Sequence, residues 1–334
     1  MSHYKHLTIG ERESILRMLV EGKQNREIAQ ALGRSPSTIS RELRRNCRRR
    51  EDYSPIQAER TYRERRKKSG RQRIFTASPE AKDKVRNLFL TFHWSPEQIA
   101  NRLRMEKSSV QVSYATIYRG IYSHDLEVAP LSKGQRGMAQ KLRHRGKKRH
   151  KRGEEERRGK IPISHPLEER PAEANARSEI GHWEADTVVG KAGGACLITL
   201  TDRKSRFLLG KKAPRKAARD VEDEMVAMLL KLPSDARRSI TPDRGKEFAT
   251  HASVTNRTGG TPFYFPKPHA PWERGTNENM NGLLREFVPK GSEIDSFSDD
   301  EIDAFVDLIN HRPKKCLGWK TPFEVFFDTS LHLT

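Results

Sequence analysis

The chain is short of cysteine, of aromatic residues and of long apolar runs, and each shortage removes a class of protein. Its three cysteines, Cys47, Cys196 and Cys316, form no Cys-x-x-Cys pair. That excludes a disulfide framework and a cysteine zinc finger, and the thiols are expected to be reduced and buried, as in a cytosolic protein. No apolar run approaches the ~18 residues that cross a bilayer, and the opening MSHYKHLTIGERE has no signal-peptide core, so a soluble intracellular protein is expected. No G-x-x-x-x-G-K-[ST] loop occurs, and no nucleotide cofactor is expected.

Acidic residues are also scarce. There are 44 Asp and Glu against 65 Lys and Arg, a net charge of +21. The imbalance lies wholly in residues 1–160, and the remainder is close to neutral. A basic half joined to a neutral half suggests a nucleic-acid-binding arm on a separate folded body. The 334 residues suffice for two or three domains. A hydrophobic content of 34% against 33% charged predicts some linker or open surface.

The basic half is helical at first. Thr8-Ile9-Gly10-Glu11 is a capping box, and Ile15, Leu16, Leu19 and Val20 follow at helical spacing. In REIAQALGRSPSTISRELRRN (26–46), a first short helix ends at Gly33 and Ser35-Pro36 starts a second. Two short helices about a glycine turn make a helix-turn-helix unit. Ser37, Thr38, Ser40, Arg41 and Arg44 are placed on the outward face of the second helix, suited to base edges and phosphates. An ordinary helical hairpin is the bland alternative, disfavoured by the RRNCRRR flank. WSPEQIANRL (94–103) and the Ser113-capped YATIYRGIY form a looser second pair, either a second helix-turn-helix or a structural support. The domains are therefore placed at 1–50 (helix-turn-helix), 51–130 (second helical region), 131–175 (basic linker) and 176–334 (body). The linker's Lys, Arg and Gly density suits phosphate contact.

In the body, HWEADTVVG and ACLITLTD are predicted strands, the latter turning through Asp202–Ser205 into RFLLGKK. A helix over about 217–232, a short strand RRSITPD, a fifth strand PFYF and a helix over about 272–287 follow. Capping boxes at Ser298–Glu301 and Thr321–Glu324 open two more helices. The order describes an α/β layered domain. Three acids hold suggestive places: Asp186 in the first strand, Asp243 at the end of the fourth, Glu278 on the helix after the fifth. If the first and fourth strands are neighbours, the two Asp converge, and paired carboxylates from different elements suit two metal ions in phosphoryl transfer on DNA. Spacing alone does not establish such a site, because a strand-end Asp is commonly a cap or turn residue.

The long motifs REIAQALGRSPSTISREL, ERPAEANARSEIGHWEADTVVG, TLTDRKSRF, TPDRGKEFA, PWERGTNENMNGLLREFVPKG and NHRPKKCLGWKTPFEVF follow one another in order. Together they resemble the insertion-sequence-thirty family of Asp-Asp-Glu transposases and retroviral-type integrases, over almost the whole chain. The resemblance implies a ribonuclease-H-like catalytic domain, a mixed five-stranded sheet with flanking helices, behind an all-α helix-turn-helix region. It also implies Asp186, Asp243 and Glu278 as catalytic metal ligands for Mg²⁺, with Mn²⁺ able to substitute. The implied partners are double-stranded DNA, both terminal inverted repeats and target, and further copies of the chain, in a bacterial cytoplasm and on the nucleoid when DNA-bound. Glu184 and Glu247 are ranked as supporting acids, Arg274, Asn277, Asn279, Asn281 and Lys290 as residues that contact DNA or orient Glu278, and Trp183 and Trp272 as core aromatics. Pro242, Arg244 and His182 depart from the family's usual residues. A cation beside Asp243 would lower its pKa, and a proline suits a strand end. The rival expectations are a DNA-binding regulator with a non-catalytic C-terminal domain and a metal-dependent nuclease without strand transfer.

Overall fold

The structure, a computed structural model, describes residues 5–69, 72–129, 135–142, 161–191, 193–267 and 275–334. Contacts divide the chain into two compact units, Met1–Arg73 and Ile74–Thr334.

The first unit has four helices: α1 (Ile9–Val20), α2 (Asn25–Ala31), α3 (Pro36–Asn46) and α4 (Pro55–Lys68). The Thr8–Glu11 capping box forms, with Glu11 N donating to Thr8 Oγ1 at 3.2 Å and Thr8 N donating to Glu11 Oε2 at 2.7 Å. Ser35 caps α3 and Pro36 occupies its first turn, where a missing N–H costs nothing. Ile15, Ile28, Ile39 and Leu43 close one small core, which Tyr53 and Ala58 complete. The compact unit therefore runs on through α4 to Arg73 instead of stopping at residue 50. Beneath α3, buried Arg12 donates from Nε to Glu42 Oε1 at 2.7 Å and pairs with Glu59.

The second unit begins with α5 (Ile74–Ala77), α6 (Pro79–Leu90), α7 (Pro96–Met105) and α8 (Tyr114–Tyr122). The caps at Ser95 and Ser113 are in place. Val85, Leu88, Trp94, Ile99, Leu103, Ile117 and Ile121 make a core of their own. Then come β1 (His165–Pro166), α9 (Ala172–Ala176), β2 (His182–Val189), β3 (Cys196–Asp202), β4 (Leu208–Ala213), α10 (Ala218–Leu230), β5 (Ser239–Thr241), α11 (His251–Arg257), β6 (Tyr264–Phe265), α12 (Gly275–Leu284), α13 (Asp299–Asn310) and α14 (Pro322–Phe326). Of the expected basic linker, 131–134 and 143–160 lie outside the described residues.

The main sheet has the order β4-β3-β2-β5, antiparallel except for the parallel β2–β5 pair. The expected fifth strand meets it at a single bridge, Phe263 to Ile240, while Tyr264 and Phe265 pair with His165 and Pro166. Pro262 and Pro266 bracket this segment, and neither can donate to a ladder.

Pleating sends alternate residues to opposite faces. Trp183 and Ala185 of β2, with Cys196, Ile198 and Leu200 of β3, join Val221, Met225 and Leu229 of α10 on one side. Val188 and Leu197 join Met280, Leu283, Ile302 and Val306 of α12 and α13 on the other. Gly210 is the close approach there: a Cβ at this position would lie 2.8 Å from the Val306 side chain.

The helical layer of this unit is fixed to the sheet domain through charge. Arg102 of α7, wholly buried, forms two parallel hydrogen bonds to Glu324 of α14, at 2.5 and 2.8 Å. It also donates to Glu106 Oε1 at 2.5 Å and to the Leu331 carbonyl at 2.7 Å.

Candidate active site

The parallel pairing of β2 with β5 sets the site. Glu184 stands opposite Thr241 in the last pair of that ladder, and Asp186 and Asp243 each follow two residues later in their own segments. β5 stops at Thr241 because Pro242 offers no amide hydrogen to the ladder. The chain then turns, and the Gly245 amide donates to Asp243 Oδ1 at 2.8 Å, holding the buried carboxylate at the turn. Arg244 points its Nε at the Pro266 carbonyl, 2.7 Å away.

Glu184 and Asp186 share one sheet face, and α12 lies over it. The Asn277 amide donates to Glu184 Oε2 at 3.1 Å. One turn on, Asn281 Nδ2 donates to Asp186 Oδ2 at 3.0 Å. The Thr199 hydroxyl of β3 lies 3.1 Å from Asn281 Oδ1 and 3.3 Å from the Asp186 carbonyl, and the Thr187 amide donates to Asp186 Oδ1 at 2.8 Å. Glu278 lies in the same first turn of α12, between Asn277 and Asn281, and is exposed.

The supporting acids are otherwise occupied. Glu184 is fully buried and ion-paired with Arg203. Glu247 accepts from Lys216 Nζ at 2.8 Å and from Thr187 Oγ1 at 3.0 Å. Asp202 receives the amides of Gly181, Lys204 and Ser205 at 2.8, 3.1 and 2.7 Å, which fixes the turn from β3 to β4. Burial raises its pKa, with those bonds working in the opposite sense. His182, where an acid is common, is buried with Nδ1 2.7 Å from Ser239 Oγ. Burial, then the Arg238 charge, lowers its pKa, which favours the uncharged imidazole.

Asp186 thus lies on β2 and Asp243 in the turn after the adjacent β5, while Glu278 stands on α12, whose Asn281 reaches Asp186. Among the described residues, no three His, Cys, Asp or Glu side chains close around one point to hold a metal ion. The donor set itself is three carboxylates, which suits a hard oxygen-seeking cation. Asn277, Asn279 and Asn281 divide: Asn277 is buried, Asn279 exposed, and Asn281 reaches Asp186. Lys290 is exposed. Trp183 is a core residue whose Nε1 donates to the Ala236 carbonyl at 2.8 Å, while Trp272 and Arg274 lie outside the described residues. In the first unit Ser37, Ser40, Arg41 and Arg44 are exposed on α3 and Thr38 is half-buried. Sequence reasoning missed Thr199 and the Arg203–Glu184 pair. Glu184 two residues before Asp186, and an arginine in the adjacent TLTDRKSRF motif, were the available signals.

A helix-turn-helix domain family matches residues 3–46, and an integrase core domain family matches residues 176–268. The chain is similar to the transposase for insertion sequence element IS1086 of Cupriavidus metallidurans, 36% identical over 96% of this chain and 94% of that protein. It is similar to the transposase InsI for insertion sequence element IS30A of Escherichia coli, 37% identical over 96% of this chain and 83% of that protein. It is similar to the transposase for insertion sequence element IS4351 of Bacteroides fragilis, 35% identical over 96% and 95%. Among solved structures, the catalytic core domain of BIV integrase covers 44% of this chain and 94% of that one, with a TM-score of 0.35 and 15% identity.

Proposed function

The chain belongs to the IS30 family of insertion-sequence transposases, and from that premise we propose that Asp186, Asp243 and Glu278 are its catalytic metal ligands. The fold is an N-terminal helix-turn-helix region followed by an integrase core of ribonuclease-H-like type, and the activity is polynucleotidyl transfer on DNA. One observation supports the proposal: β5 pairs in parallel with β2 as far as Glu184 and Thr241, two residues before Asp186 and Asp243, and α12, which carries Glu278, reaches Asp186 through Asn281.

Magnesium, or manganese in its place, supplies Lewis-acid stabilisation of the attacking and leaving oxygens when bound between such carboxylates. The chain's own residues do the rest. Asn281 fixes one Asp186 oxygen and the Gly245 amide fixes one of Asp243, so neither acid has to be ordered when substrate arrives. Arg203 neutralises Glu184, which keeps a fourth charge from competing for the cation. A water attacks the phosphorus at the element's end, the bond to the 3′-oxygen breaks, and the freed 3′-hydroxyl then attacks a target phosphodiester and displaces its 3′-oxygen. Both are in-line displacements and need no covalent protein intermediate.

The first unit binds the terminal inverted repeats, with Ser37, Thr38, Ser40, Arg41 and Arg44 of α3 facing the duplex. Bringing two ends together takes at least two copies of the chain, working in the bacterial cytoplasm and on the nucleoid while DNA is bound.

The test uses the full chain, Mg²⁺ and DNA carrying matched inverted ends. Asp186→Asn, Asp243→Asn and Glu278→Gln are expected to retain gel-shift binding and lose both nicking and strand joining. Cleavage at the wild-type rate by any of them removes that residue from the site.

A further inference from the structure

We propose that a small cationic pocket beside α12 binds a backbone phosphate of the DNA strand undergoing reaction. Arg177, Arg206, Lys314, Thr276 and Asn279, with Met280 and Cys316, line a cavity of about 190 Å³. Among the described residues no acidic side chain lines it. Three cations gathered at one cavity suit an anion by elementary electrostatics. An arginine fork and a lysine point charge suit the tetrahedral oxygens of a phosphodiester.

The backbone is arranged for it. Arg177 ends α9 at φ 59° and Arg206 sits in the β3–β4 turn at φ 64°, both in the left-handed region that a non-glycine residue seldom adopts. Such conformations persist where surrounding structure over-determines them, and they gather at functional sites. Asp202 supplies that constraint for Arg206, through its bonds to Lys204 N and to the amide and hydroxyl of Ser205. Arg206 Nη1 donates to Thr276 Oγ1 at 2.8 Å, tying the turn to the first residues of α12. Lys314 is largely buried, with Nζ 3.6 Å from Met280 Sδ. Desolvation first, then the Arg206 and Arg203 charges, pushes the Arg177 guanidinium below its ordinary pKa, against the pull of Glu184. A bound phosphate would relieve that repulsion.

Position assigns the ligand. Thr276 and Asn279 flank Glu278 within one helical turn, ~5.4 Å of rise. A DNA strand advances ~3.4 Å per nucleotide. A strand reacting at Glu278 therefore carries a phosphate within a nucleotide or two of this pocket. Only the strand's position rests on the catalytic assignment above; the phosphate site rests on the pocket.

The experiment measures binding of the full chain to an element-end duplex in Ca²⁺, without cleavage, so it succeeds or fails independently of the metal ligands. Arg177→Gln and Arg206→Gln are each expected to flatten the slope of log K against log salt by up to about 0.9, one phosphate's share. Arg177→Lys with Arg206→Lys should restore most of the slope, which separates charge from folding. A neutral methylphosphonate walked along the strand should weaken wild-type binding at one position near the cleaved end, and the double Gln variant should be indifferent there. Alkylation of Cys316 should be slowed by the duplex and not by inorganic phosphate at millimolar concentration. Unchanged slopes with an unchanged methylphosphonate profile overturn the proposal. So does protection of Cys316 by inorganic phosphate alone, which would mark a free-anion site.

Discussion

Asn281 Nδ2 donates to Asp186 Oδ2 at 3.0 Å, across the gap between α12 and β2. The Glu278 turn and the first strand acid are therefore joined by a single side chain. Asn281→Ala is expected to reduce cleavage and apparent metal affinity about 10–100-fold, the usual cost of removing a partner that orients a ligand. Higher Mg²⁺ should recover part of the loss, and DNA binding in Ca²⁺ should be unchanged. A loss that Mg²⁺ does not touch would point to a packing defect instead.

Arg102→Met leaves Glu324 buried without its partner. Breaking a buried pair from one side costs about 3–5 kcal/mol. Urea unfolding should show that loss. A shift of less than about 1 kcal/mol would mean that the pair contributes no more than a surface contact.

The same pair sets an acid limit. Burial alone would raise the Glu324 pKa, but the Arg102 bonds and the Leu331 and Thr321 amides outweigh it and bring it to about 2, from 4.5. The stability this provides is complete above pH 4.5 and is lost as pH falls towards 2. Unfolding free energy should decline across that window in the wild type. It should decline less steeply in Glu324→Gln, which has no proton to gain.

On α3, Arg41 and Arg44 are both exposed, and their roles can be separated by how binding responds. If Arg41 reads a base edge, Arg41→Ala costs about 1–3 kcal/mol on the native repeat and relaxes preference at one position. A phosphate contact instead weakens all sequences equally and flattens the salt slope. Competition binding against single-base variants of the repeat distinguishes the two for each arginine.

Much of this architecture is written locally, and local chemistry is what a sequence displays. The caps at Thr8, Ser95, Ser113, Ser298 and Thr321 each depend on residues three apart. Asp186, Asp243 and Glu278 were named through their surrounding motifs and stand as the proposed metal ligands. The adjacency of β2 and β5 was legible only as a possibility, because a parallel pair joins distant segments. Arg102 with Glu324, 222 residues apart, was not legible at all. One arginine among many gives no sign that it will be buried. The fifth strand was over-read for a related reason: PFYF has strand composition, but its flanking prolines restrict the ladder it can form.

The alternation along β2 has a genetic consequence. Ala185 faces the α10 side and Asp186 the α12 side, an assignment that depends on counting residues from the strand's anchored start. Loss of a single codon between His182 and Ala185 would shift the register by one, turning Asp186 into the apolar layer and putting Thr187 in its place. A codon lost from an exposed loop shortens a connection and leaves that count intact. Decaying copies of the element should therefore tolerate in-frame deletions in loops, whereas one missing triplet in this short stretch abolishes mobility outright.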